Sequence, residues 1–266
     1  MEDRRRSPLR LGFHLAHVTY QAGRTRVLRL RTTRMVLALR LRAAWHRAEL
    51  DCRVAPDVRF GRRVRITVAA RTRNVVHIGP RCVLGDDVVV ELTGGALVVG
   101  PGVDVRPRCV LRVGGALTLA GGNLLQHGCT LHCAQEVTLG VRTTCGEYVS
   151  IVDSTHRVDG PHEWFVHNVA TAPVVLGDDV WVAAKATVGR GVHVGDRAVI
   201  GANSVVVRDV PAGYLASGVP AAVRPLPPPA VGSAEGARAD AGAPPRAASV
   251  VGSGDPRRAP SPTSSS

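Results

Sequence analysis

A chain of 266 residues with 45% hydrophobic but only 3% aromatic residues must build its core from Val, Leu, Ala and Ile, and its 29 glycines favour short strands and tight turns over a helical bundle. Residues 1–50 carry +9 of the +13 net charge, the stretch after 226 carries +1, and the body between keeps +3. A nucleic-acid binder would hold its basic patch on the folded body beside stacking aromatics, so that class is excluded, as is a membrane-spanning one, since no apolar run approaches about 18 residues.

In chain order, residues 24–50 combine good helix formers with apolar residues and Arg and contain no Pro. They predict one or two basic helices covering the start of the body; the alternative is an amphipathic anchor on an anionic membrane. Apolar residues and Arg alternate there with period two, so no clean helical stripe stands out. No signal-peptide core precedes them, which makes a cytoplasmic protein, peripheral at the inner membrane face in the anchor reading, the expectation.

From residue 54 a six-residue repeat begins. Val54, Phe60 and Ile66 open a weak triplet of hexads; Ile78, Leu84 and Val90 the next; then Val99, Val105, Leu111; Leu119, Leu125, Leu131; and Leu139, Cys145, Ile151. Gly pairs at 94–95 and 114–115 punctuate the corners. From Leu176 six hexads run without a break, opened by Leu176, Val182, Val188, Val194, Ile200 and Val206. Three short faces joined at three turns close one triangular coil, whose aliphatic openers point inward and stack on those of the neighbouring coils. Gly or a small residue after the opener is read as permitting the tight turn. The phase breaks once, at "SIVDSTHRVDGPHEWFVHN": Ile151 opens a hexad ending in His156, and a 19-residue excursion separates it from Leu176.

Six cysteines occur without a CxxC pair, and Cys82, Cys109 and Cys129 share one place in the repeat. They read as small buried hydrophobes in a reducing compartment, not as disulfides or metal ligands. The last 40 residues are rich in Pro, Ala, Gly and Ser, with little to bury, and are expected to be disordered. The chain thus divides into a basic helical cap over 1–50, a solenoid over 51–226 with an insertion at 157–175, and a tail over 227–266.

The stretch "PVVLGDDVWVAAKATVGRGVHVGDRAVIGANSVVVRDVPAGYLASGVPA" resembles the hexapeptide-repeat acyltransferases, in particular the galactoside, maltose and exopolysaccharide O-acetyltransferase branch. With a looser likeness upstream, the resemblance covers roughly half the chain. It implies an all-β, left-handed parallel β-helix, a homotrimer with active sites between subunits, and acetyl-CoA as acyl donor with no metal. The residue matching the family's general base is His156. Imidazole suits the task, because its ordinary pKa lies near neutrality and a thioester needs only a base as a sugar hydroxyl attacks.

The resemblance further implies donor contacts at Trp181, Ala184, Ala202, Arg208, Gly218 and Pro220, with Arg224 left to meet the phosphates. It implies acceptor contacts at Gln126, Asp153 and Trp164. Asp153 could instead orient His156 or be a solvated turn residue, and Trp164 with Phe165 could simply pin the loop. Departures from the pattern are Gln126 in place of an Asn, "HCAQ" where an acidic residue is usual, and Ala222 and Pro225 where basic residues are common. The expected reaction is therefore O-acetylation of a sugar or glycan other than a simple galactoside or maltose, with N-acylation of an amino nucleotide sugar as the alternative. Two further readings stand: a γ-class carbonic anhydrase, suggested by His127 and His132 five apart but lacking a third histidine upstream, and a non-catalytic scaffold.

Overall fold

The computed structural model describes residues 30–157 and 168–226. It is a parallel β-solenoid of seven coils with three faces. The first face stacks Glu49–Val54, Arg73–Ile78, Ala96–Val99, Ala116–Leu119, Glu136–Leu139, Val174–Leu176 and His193–Val194. The second runs from Arg59–Phe60 to Val199–Ile200 and ends in an antiparallel hairpin, Tyr214–Gly218 with Ala221–Pro225. The third runs from Arg65–Val68 through Thr130–Cys133 and Ser150–Val152 to Val205–Val206.

The hexad phase is the fold. On the second face Phe60, Leu84, Val105, Leu125, Cys145, Val182 and Ile200 stand in register, and on the third face Ile66, Val90, Leu111, Leu131, Ile151, Val188 and Val206 do. Every predicted opener is buried except Val54, which is half-buried in the first coil. Aliphatic side chains fill nearly the whole stack because each inward residue meets its equivalents one coil above and below; the one ring among the openers is Phe60 in the first coil.

The reading of glycine needs correction. At the corners flanking the second face the left-handed residue is usually the fourth of the hexad, and it is often not glycine: Arg63, Arg81, Asp87, Arg108, Arg142 and Asp179 all have φ between 54° and 64°. The glycine after the opener serves close approach between coils. A Cβ on Gly85 would come within 2.7 Å of the Pro107 nitrogen, and one on Gly100 or Gly140 would overlap the backbone of Ala120 or Gly177. The same glycines donate the ladder bonds Gly100 N–H to Leu119 O (2.7 Å) and Gly140 N–H to Leu176 O (2.8 Å).

At one end, a helix described over residues 30–45 lies on the first coil. Thr32, Leu39 and Ala43 are buried there, Thr32 Oγ1 donates to Val58 O, and Arg42 donates to Ile66 O. The six cysteines are free and buried, as the repeat position suggests. Cys82, Cys109 and Cys129 each aim the thiol at a carbonyl of the adjacent coil, those of Gly100, Gln126 and Gly146, at 3.0 Å. Burial pushes the Cys133 thiol up to about 12 and raises Cys52, Cys82 and Cys145 as well, so these thiols are neutral. The expected disordered tail, 227–266, lies outside the described residues.

Candidate active site

The break in the repeat is built on Asp153. As the third residue of its hexad it turns into the corner between the third and first faces, where it is completely buried. Its Oδ1 accepts the N–H of Ala134 (2.8 Å), and its Oδ2 accepts those of Gln135 (2.7 Å) and Glu136 (2.8 Å), all in the corner of the coil below. Ala172 N–H donates to Asp153 O at 2.9 Å, so the chain leaves and rejoins the solenoid at one closed neck. Asp153 is therefore not a solvated turn residue: it is fully buried and the backbone uses both carboxylate oxygens.

Above the neck Ser154–His156 and Val169–Thr171 form an antiparallel ribbon with His156 opposite Val169, extended by Arg157 N–H to Asn168 O at 2.8 Å. The insertion thus starts at residue 154 rather than 157, and the solenoid resumes with the strand Val174–Leu176. Leu139 and Leu176 remain in register across the excursion, which leaves the stack undisturbed. The His156 imidazole is exposed on this ribbon. Trp164, Phe165, His162 and His167 lie outside the described residues.

At the foot of the ribbon, a hollow of about 290 Å³ opens between Ser154 and an outward column of the third face, Glu91, Arg112 and His132. Arg112 bonds Glu91 at 2.9 Å and donates to His132 Nε2 at 3.1 Å. Burial, and then the Arg112 charge, hold the His132 pKa below the ordinary histidine value. His127, on the corner between the second and third faces, is not part of this column. Among the described residues no three His, Cys, Asp or Glu side chains gather as a metal set. Sequence reasoning missed the column, although its signal was present as a polar residue directly after the opener in three successive coils.

The residues expected around the donor divide between two edges. Cys145, Val182, Ile200 and Ala216 are in register, so two positions later Ala184, Ala202 and Gly218 stack on the corner between the second and third faces. Hydrogen bonds join these coils: Asn203 N–H donates to Ala184 O at 3.0 Å, and Gly218 N–H to the Ser204 side-chain Oγ at 3.0 Å. Pro220 forms the turn of the terminal hairpin, and Arg224 is exposed on its second strand. Gln126 belongs to the same corner two coils earlier, and Trp181, 55% exposed, opens a strand of the second face. Arg208 is the exception: it lies on the corner after the third face, the edge from which the His156 ribbon leaves. Within the chain, the third face thus separates His156 from the Ala184–Ala202–Gly218 column.

The family described as bacterial transferase hexapeptide (six repeats) matches residues 173–208. A chain from Escherichia coli (strain K12), provisionally named the colanic acid biosynthesis acetyltransferase WcaF, is 29% identical over 125 residues, which are 47% of this chain and 66% of that one. The galactoside O-acetyltransferase of the same strain is 28% identical over 126 residues, 47% of this chain and 61% of its own length. The matches thus span less than two thirds of these relatives. Among solved structures, the polysialic acid O-acetyltransferase OatWY superposes with a TM-score of 0.51 at 16% identity, covering 67% of this chain and 87% of that one, a likeness of fold.

Proposed function

For a chain whose repeat array belongs to the hexapeptide-repeat transferases, we propose acyl-CoA-dependent O-acetylation of a sugar or glycan hydroxyl, with His156 as the general base. The observation that carries this reading is the root of the excursion. There an exposed imidazole stands on a short ribbon whose neck is pinned by a fully buried carboxylate with three backbone donors. A base held this way needs little reorganisation as the hydroxyl attacks the thioester, and direct transfer requires no covalent enzyme intermediate. The Ala184–Ala202–Gly218 column offers small side chains and accessible backbone, suited to the extended pantetheine arm of acetyl-CoA, and Arg224 is a candidate for its phosphates. His156 and this column occupy different edges of one prism. A homotrimer in which one subunit supplies the ribbon and its neighbour the column reconciles the two.

The test is thiol release from acetyl-CoA with a panel of sugar and glycan acceptors. His156→Ala is expected to lose about 10²–10⁴-fold in rate at unchanged melting temperature. Full activity in this variant sinks the assignment of the base. Mass spectrometry after alkaline hydroxylamine treatment separates the products: a labile ester supports O-acetylation, whereas a stable amide on an amino sugar assigns N-acylation. No release of thiol with any acceptor on the panel would favour the scaffold reading.

A further inference from the structure

The helix over residues 30–45 is apolar on two opposite sides, and the solenoid uses only one of them. Thr32, Leu39 and Ala43 are buried on the first coil, with Met35 and Val36 packed beside them. On the other side, Leu30, Leu37, Leu41 and Trp45 are 59%, 56%, 62% and 86% exposed. At about 100° per residue these four fall within an arc of roughly 80°, diametrically opposite the buried set. This is an apolar stripe that ends in a tryptophan and is interrupted only by Arg34.

Charge decides what can cover it. Residues 30–45 contain Arg31, Arg34, Arg40 and Arg42 and no acidic residue. Arg40 and Arg42 reach back to Cys52 O and Ile66 O of the first coil. Arg34 falls within the apolar arc and Arg31 at its flank, and both are exposed. Together they line a hollow with Met35, Ala38 and Phe60 where helix meets coil. Two copies of this chain docked stripe to stripe would bring like charges together on a desolvated face, which is unfavourable. A surface that accepts leucine and tryptophan in its apolar layer and presents anions at the level of the guanidinium groups satisfies both features. No helix among the described residues is long and apolar enough to cross a membrane, so this one would lie in the interface plane.

We propose that the outward face of helix 30–45 docks the protein on anionic lipid bilayers, with Leu30, Leu37, Leu41 and Trp45 inserted and Arg31 and Arg34 meeting lipid phosphates. The proposal is independent of the acyltransferase reading, since it uses no residue of the candidate active site.

The experiment is co-sedimentation of the full chain with vesicles of phosphatidylcholine alone and of phosphatidylcholine with phosphatidylglycerol, at low and high salt. Binding is expected to the anionic vesicles, weakened by salt. Leu37→Gln, Leu41→Gln and Trp45→Gln combined should lower the partition more than about tenfold at an unchanged circular dichroism spectrum. Arg31→Gln with Arg34→Gln should lower it about 30-fold on anionic vesicles. Should the triple variant misfold, Trp45→Gln alone and the arginine pair carry the same test. Equal partition to neutral and anionic vesicles, or none, overturns the proposal. So does undiminished binding by the apolar variants, which would move the contact to the other arginines of residues 1–29. A lower subunit count by light scattering in the triple variant would show the stripe buried between copies and also overturn it.

Discussion

Asp153 and His156 lie three positions apart, yet one is sealed into a coil corner and the other stands exposed on a ribbon. Their variants should therefore fail differently. Asp153→Ala leaves three backbone N–H groups without their acceptor and is expected to cost about 2–4 kcal/mol, read as a lower denaturation midpoint, with activity falling as the neck loosens. Asp153→Asn should recover only part of this, because its amide NH₂ faces donors where the carboxylate offered acceptors. His156→Ala should lose activity alone. His132 supplies a pH effect. Its folded pKa lies below the unfolded value near 6.5, so between the two the unfolded chain takes up the proton first. Its contribution to stability is thus lost as pH falls through the unfolded value and stops changing below the folded one. His132→Gln keeps an acceptor for Arg112 without titrating, and its melting temperature should fall less than the wild type's between pH 7.5 and pH 5.5. Asp153 was legible as a candidate by position, but its role was not, because the donors it serves are 17 to 19 residues away.

Among the elements, the coil corner carries most of the specification. Where the residue after the opener is a glycine such as Gly100 or Gly140, it faces the backbone of the next coil, so Gly140→Ala is expected to destabilise by about 2 kcal/mol or more. An ordinary Gly→Ala change at negative φ would instead stabilise slightly. Two arginine–aspartate forks, Arg63–Asp87 and Arg142–Asp179, tie fourth-position residues of neighbouring coils, but these exposed pairs add little to stability. The corner pattern was half legible. Spacing located every corner, while the division of labour between second and fourth positions depends on which backbone approaches from above. The N-terminal helix shows the same limit: its period-two mixture of Arg and apolar residues conceals two faces, and only the docked helix shows that Leu39 and Ala43 go inward while Leu37 and Leu41 go outward.

For the whole molecule, the solenoid buries all six cysteines, and burial raises the thiols of Cys52, Cys82, Cys133 and Cys145. A thiol reagent should leave native protein unmodified and label all six only after unfolding. Light scattering of the native protein should report three copies of the 28.0 kDa chain if the site is completed between subunits. The sequence by itself determined the stack: an inward aliphatic residue every six positions can be buried simultaneously only by coils of three faces, and the single loss of phase marks where the chain must leave them. Tertiary structure decided what that departure looks like. The closed neck between Asp153 and Ala172, the ribbon under His156, and the assignment of Arg208 to a different edge from Ala184 and Ala202 all depend on contacts between coils. Such contacts join residues that a six-residue period treats as equivalent, so periodicity alone cannot tell them apart.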